Sequence, residues 1–217
     1  MWELLQEWDK SLFLFLNGQH APYWDHFARI FTSKTAWGVM YASILYVLGK
    51  NLDWKMVIVT TLAFVLVIVV ADQLASSVLR PLFARPRPSR APGIMDTVHL
   101  IDGRRGGAFG FPSAHAANTA ALTAFIILLF RHRCLSAFFI AWTLVTCYTR
   151  VYVGVHYPGD VLFGILVGGL AGCAVHGAYR LGLARLSLAP AGKMKHLPVI
   201  INTGLLTTVI IALYSLF

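Results

Sequence analysis

Three short polar clusters border apolar stretches of this chain, and each holds side chains able to act on an anion. The first reads Arg80-Pro-Leu-Phe-Ala-Arg85-Pro-Arg87-Pro88, the second Phe111-Pro112-Ser113-Ala114-His115, the third Arg150-Val-Tyr-Val-Gly-Val-His156-Tyr-Pro-Gly-Asp160. Arginine keeps its charge at any relevant pH, and its planar fork matches the oxygens of a phosphate. Prolines on either side of Arg85 and Arg87 stiffen the backbone, so less entropy is lost when those side chains grip an anion. Taken alone, the same arginines fit a basic loop touching anionic headgroups better. Ser113 follows a proline and precedes a helical run, which makes it a natural N-cap beside free backbone N–H groups. His115 then falls in the first turn. Pro158 and Gly159 precede another helical run, so His156 and Asp160 can meet where the turn enters that helix. A carboxylate beside an imidazole fixes its tautomer and stabilises positive charge formed when the other nitrogen attacks phosphorus.

Apolar elements must position these clusters. The chain has 217 residues, 58% hydrophobic and 12% charged, against roughly 25% charged in soluble domains. Mean hydropathy is +0.68. Six apolar segments stand between charges, at 35–49, 56–79, 113–130, 134–149, 161–179 and 197–217. A spanning helix needs about 20 residues, so the pattern predicts an all-α, polytopic bundle of about six transmembrane helices. The first segment is short unless it draws in residues 31–33. Residues 1–33 interleave Glu3, Glu7, Asp9, Lys10, Asp25 and Arg29 with Trp2, Trp8, Trp24 and Phe27, the composition of an amphipathic segment lying at headgroup depth. The expected organisation is therefore an interfacial segment, 1–33, followed by a transmembrane domain, 34–217. The start of the chain carries acidic residues where a cleaved signal has basic ones.

Charge sets the partners and the orientation. A net charge of +9 in so apolar a chain points to anionic headgroups or a phosphorylated substrate and away from nucleic acid. Cys134, Cys147 and Cys173 lie in apolar runs without ligand spacing and read as packing residues. No Asp/Glu/His cluster suggests a metal. Lys50, Lys55, Arg131, Arg133, Arg180, Arg185, Lys193 and Lys195 fall in three turns that share one side of a six-span bundle, expected to be cytoplasmic. The loop 80–112, the turn 150–160 and both termini fall outside. Gly164, Gly168 and Gly172 share one helical face, a stripe of small residues for close helix packing.

Together the clusters resemble the type 2 phosphatidic acid phosphatase superfamily, whose signature runs Lys-x6-Arg-Pro, Pro-Ser-Gly-His, Ser-Arg-x5-His-x3-Asp. Here Arg80-x6-Arg87-Pro88 carries Arg for Lys, Pro112-Ser113-Ala114-His115 carries Ala for Gly, and Thr149-Arg150-x5-His156-x3-Asp160 carries Thr for Ser. The resemblance covers about 72–180. It implies that His156 is the nucleophile and becomes phosphorylated, that Asp160 orients it, and that His115 protonates the leaving group and then activates water. It also implies that Arg80, Arg87, Ser113 and Arg150 clamp the phosphoryl oxygens, with neither metal nor cofactor.

Arg85, Arg90, Arg104 and Arg105 match no signature position and could hold a second phosphate or a headgroup, or be solvated loop charges. Asp72, inside an apolar segment, is either a partner for a site arginine or an interhelical hydrogen bonder. The expected protein is a lipid phosphatase of the bacterial inner membrane with its site facing the periplasm or outside. Undecaprenyl diphosphate ranks first as substrate on the strength of the extra arginines, with lipid A or phosphatidylglycerophosphate as alternatives. A phosphotransferase would share every residue named. A lipid transporter would spread polar residues along a path rather than gather them at one face.

Overall fold

The computed structural model describes residues 2–186, 188, 192 and 194–217. Lys193, one of the eight charges used for orientation, lies outside them. Among these residues eight helices follow in order: α1 (Trp2–Gly18), α2 (Pro22–Phe31), α3 (Gly38–Asn51), α4 (Trp54–Phe83), α5 (Ala114–Phe130), α6 (Arg133–Tyr152), α7 (Pro158–Arg185) and α8 (Leu197–Tyr214). Among the described residues there is no strand, only one isolated bridge between Pro86 and Phe109.

Local chemistry sets most boundaries. Asp53 caps α4 by accepting from the N–H groups of Lys55 and Met56. Ser113 caps α5, the His132 ring caps α6, and Pro158 opens α7 where its missing N–H costs nothing. Asp53, His132 and Pro158 lie outside the apolar runs, so α4, α6 and α7 exceed the segments that hydropathy marks. Asp160 is already in the first turn of α7, and Arg150 in the last of α6. Within α4 the residues Gln73–Leu79 are π-helical, which rotates Arg80 relative to the helix below it.

The helices α3 to α8 run alternately up and down. Asn51, ending α3, exchanges hydrogen bonds with the backbone of Lys195 just before α8, so the turns at 50–55 and 131–133 share one end with residues 194–196. All three polar clusters lie at the other. Among the described residues four helices (α4, α6, α7, α8) are long and apolar enough to cross a membrane. The 17 residues of α5 reach about 25 Å and the 14 of α3 about 21 Å. A 3-10 turn, Lys34–Trp37, extends α3. Leu62, Val65, Leu166, Leu170, Leu205 and Leu206 point outward and exposed, as a lipid-facing surface requires.

Between helices the packing divides in two. Trp37, Met40, Phe139, Trp142 and Ile200 fill the space among α3, α5, α6 and α8. Val67, Ala71, Ala117, Ala121, Phe125 and Val175 fill that among α4, α5 and α7. Helices α1 and α2 fold over the end that carries the polar clusters. Asn17 ties α1 to the carbonyls of His99 and Tyr152, Asp25 receives the Tyr152 hydroxyl, and Phe13 is buried with Ile94, Val98 and Tyr157.

Candidate active site

Close approach of α5 and α7 brings the second and third clusters together. A Cβ on Gly164 would stand 2.6 Å from the Ser113 carbonyl, and Gly168 and Gly172 lie as tightly against the backbones of Ala117 and Ala121. The glycine stripe thus does more than pack helices: it brings the N-terminus of α5 against that of α7, where the Ser113 N–H donates to the Asp160 carbonyl at 2.9 Å. Gly110 completes the contact. A Cβ there would meet Arg87 and Asp160 at 3.1 Å and the His156 ring at 3.5 Å.

His156 sits buried in the turn between α6 and α7. Arg87 Nη1 donates to the carbonyl of Val155 at 2.8 Å and lies 3.0 Å from His156 Nε2. A guanidinium can only donate, so Nε2 carries the lone pair and Nδ1 the proton. Nδ1 faces Asp160 Oδ2 at 3.4 Å, a contact of the length that catalytic pairs often show before substrate arrives. Oδ2 also accepts the Tyr157 N–H at 3.0 Å. Burial, then the positive charges of Arg87, Arg150 and Arg80, hold the His156 imidazolium well below the usual 6.5. The ring is therefore neutral at pH 7, its lone pair unblocked by a proton. Arg87 is pushed down to about 10, mainly by burial, and stays charged at neutral pH.

Two more arginines converge on this ring. Arg80 Nη2 donates to the Pro112 carbonyl at 3.2 Å, and Arg150 Nη1 to the Thr32 hydroxyl at 2.8 Å. Among the described residues, the buried Nε atoms of Arg80, Arg87 and Arg150 all lack a protein acceptor. Buried donors ordinarily have partners; three on one cationic pocket suit a ligand with several anionic oxygens.

Arg85 does not join them. Its Nη1 donates to Asp160 Oδ1 at 2.8 Å and its Nη2 to Asp9 at 2.7 Å. Arg90 is spent on the Gly106 carbonyl, and Arg104 is largely exposed beside Asp102. Of the four arginines offered for a second phosphate, Arg85 and Arg90 are thus engaged with protein groups, and Arg104 and Arg105 are exposed on the loop. Asp72 accepts from Asn118 at 2.9 Å and so acts as an interhelical hydrogen bonder.

His115, in the first turn of α5, lines an apolar cavity of about 450 Å³. The walls come from α3, α4, α5 and α6, including Tyr41, Phe64, Ile68, Leu122 and Trp142, and Thr32 to Lys34 also line it, Thr32 being the acceptor for Arg150. The charges of Arg150 and Arg87 also reach the His115 ring, so an arginine cluster and a hydrocarbon-lined cavity meet at one imidazole. No cluster of metal-ligating side chains occurs among the described residues. Asp9 and Thr32 escaped the sequence reading. Asp9 touches Arg85, 76 positions away, and Thr32 touches Arg150, 118 positions away, and nothing local in the chain signals either contact.

Comparison with known proteins agrees with this arrangement. The sequence model of the PAP2 superfamily matches residues 60–181. A Bacteroides thetaiotaomicron protein named lipid A 4'-phosphatase is 47% identical over 222 residues, covering 100% of this chain and 99% of its own. A Porphyromonas gingivalis protein of the same name is 35% identical over 82% of this chain and 75% of its own. The crystal structure of Aquifex aeolicus LpxE superposes with a TM-score of 0.59 at 26% identity, over 76% of this chain and 92% of that one. Matched along its signature region and over its whole length, the chain belongs to the PAP2 superfamily and is an integral membrane lipid phosphatase.

Proposed function

We propose that this phosphatase removes the 4'-phosphate of lipid A through a phosphohistidine on His156. The observation that carries the reading is the meeting of the arginine pocket with the apolar cavity at His115. A phosphorylated lipid needs one environment for its phosphate, another for its acyl chains, and an acid between them. The choice of lipid A over undecaprenyl diphosphate rests on the relative that is 47% identical along the entire chain, and on the engagement of Arg85 and Arg90 elsewhere.

In the first step the phosphate oxygens take the free donors of Arg80, Arg87 and Arg150 and the N-terminus of α5 at Ser113. Arg87 turns from His156 Nε2 to the phosphate, freeing the lone pair. Nε2 attacks phosphorus, a P–N bond forms, and the P–O bond to the sugar breaks. The electron pair leaves with the sugar oxygen, which takes a proton from His115. Asp160 holds Nδ1–H and stabilises the positive ring. In the second step His115 takes a proton from water as its oxygen attacks phosphorus. The P–N bond breaks, phosphate leaves, and His156 returns to neutrality. Basic turns at the opposite end of the bundle support an outward-facing site, with residues 1–33 resting on the membrane surface.

The test is a panel of purified lipids carrying phosphate or diphosphate, read by mass spectrometry. Bis-phosphorylated lipid A should lose one phosphate, from the 4' position, faster than undecaprenyl diphosphate or phosphatidylglycerophosphate loses any. In right-side-out vesicles the phosphate should appear outside. Preferential cleavage of undecaprenyl diphosphate would overturn the substrate, and release into the lumen would overturn the orientation.

A further inference from the structure

The carboxylate that faces His156 is held from outside the signature motifs. Asp160 is fully buried, and its Oδ1 is bound by Arg85 Nη1 at 2.8 Å. The second arm of the same guanidinium, Nη2, reaches Asp9 of α1 at 2.7 Å. The plane of Arg85 lies over the Tyr157 ring, 4.1 Å from its centre. Asp9 makes one more contact: its Oδ1 accepts the Gly159 N–H at 2.7 Å. A Cβ on Gly159 would stand 2.7 Å from Asp9 Oδ2, so this approach needs glycine. Phe13, one helical turn further along α1, packs edge-on against Tyr157 at 5.4 Å. Helix α1 therefore grips residues 157 and 159, between the histidine and the aspartate of the third cluster.

We propose that Asp9 and Arg85 form a clamp that positions Asp160 toward His156 Nδ1, making α1 part of the catalytic apparatus. The clamp rests on the assignment of His156 as nucleophile. Its logic is electrostatic as much as geometric. Asp160 faces a ring that is neutral at rest and positive once phosphorylated. As an unpaired buried carboxylate it would be costly to keep ionised; Arg85 pairs it. Arg85 in turn has no freedom to swing toward the phosphate, because Asp9 holds its other arm. Without Asp9 the guanidinium keeps one partner and can rotate about it, and the N-terminus of α7 loses an acceptor for the Gly159 N–H. Neither residue touches the phosphate pocket, so losing either should slow phosphorylation of His156 while leaving lipid binding intact.

The experiment uses full-length enzyme in detergent, with a lipid substrate that the wild type turns over. Outer-shell partners typically contribute 10–100-fold. Asp9→Asn should lower kcat about tenfold, with KM within about twofold, and slow the single-turnover formation of phosphoenzyme to match. Arg85→Gln should cost more, about a hundredfold, because it strands Asp160. Arg85→Lys should recover part of that loss, since it returns the charge without the fork. Glu7→Gln, at a surface carboxylate on the same helix paired with Lys10, should change nothing. The proposal is overturned if folded Asp9→Asn, checked by melting temperature, forms phosphoenzyme at the wild-type rate. It is equally overturned if the change raises KM with kcat intact, or lowers the melting temperature while the folded fraction turns over normally. If the wild-type enzyme is phosphorylated but not on His156, the nucleophile assignment fails and the clamp with it; a wild-type rate in Asp9→Asn with His156 labelled sinks the clamp alone.

Discussion

The pair α5 and α7 and the pair α3 and α4 meet opposite demands within one bundle. Between α5 and α7 there is almost no side chain: Gly164, Gly168 and Gly172 lie against the backbone of α5, and Ala116, Ala117 and Ala121 are buried. Helices in lipid gain little from hiding apolar surface, so backbone-to-backbone packing holds them. That contact brings Ser113 and His115 beside His156 and Asp160. Between α3 and α4 the side chains stand apart, and the apolar cavity at His115 lies there. The first pair fixes positions on which the chemistry depends. The second yields room for hydrocarbon chains whose length and number vary. Rigidity is placed where a misfit of an ångström costs rate, and looseness where it does not.

The comparison can be broken most severely at Gly168. Any side chain there meets the Ala117 backbone, so Gly168→Leu should push α5 and α7 apart and cost about 2 kcal/mol or more. Activity and melting temperature should fall together. Gly169→Leu, one position on and facing open space, should leave both unchanged. Equal tolerance at the two positions would mean that the close approach does not organise the site.

The cavity offers a smaller and more selective test. An acyl chain arrives there from lipid rather than from water, so the cavity contributes placement more than affinity. Ile68→Trp, which narrows it, should lower kcat/KM for a long-chain lipid phosphate about tenfold. Turnover of a short, water-soluble phosphate ester should stay within about twofold, because the arginines and both histidines are untouched. A parallel fall for the two substrates would show that the tryptophan disturbs the site and that the cavity is not the chain's path.

Much of this architecture was legible in the sequence, for a physical reason. Spanning helices need long apolar runs, and the residues that bind phosphate sit at their ends, so spacing along the chain carries the information. Helix limits were less legible: Asp160 falls inside a helix because α7 begins at Pro158, and Arg150 because α6 runs on to Tyr152, both beyond the apolar runs. The glycine stripe was visible, but which helix it would meet was not. The role of Arg85 stayed open among a second phosphate, a headgroup and a solvated loop charge, because its partner Asp9 lies 76 positions away. Contacts of that kind, like the cavity, exist only once six helices have packed.

Trapping the covalent intermediate tests the central claim most directly. Wild-type enzyme, mixed rapidly with a lipid carrying labelled phosphate and quenched in base, should yield an acid-labile phosphoenzyme with the label on His156. His156→Ala should remain folded, bind the lipid, release no phosphate and carry no label. A label on any other residue, or equal labelling of the His156→Ala protein, would contradict the account.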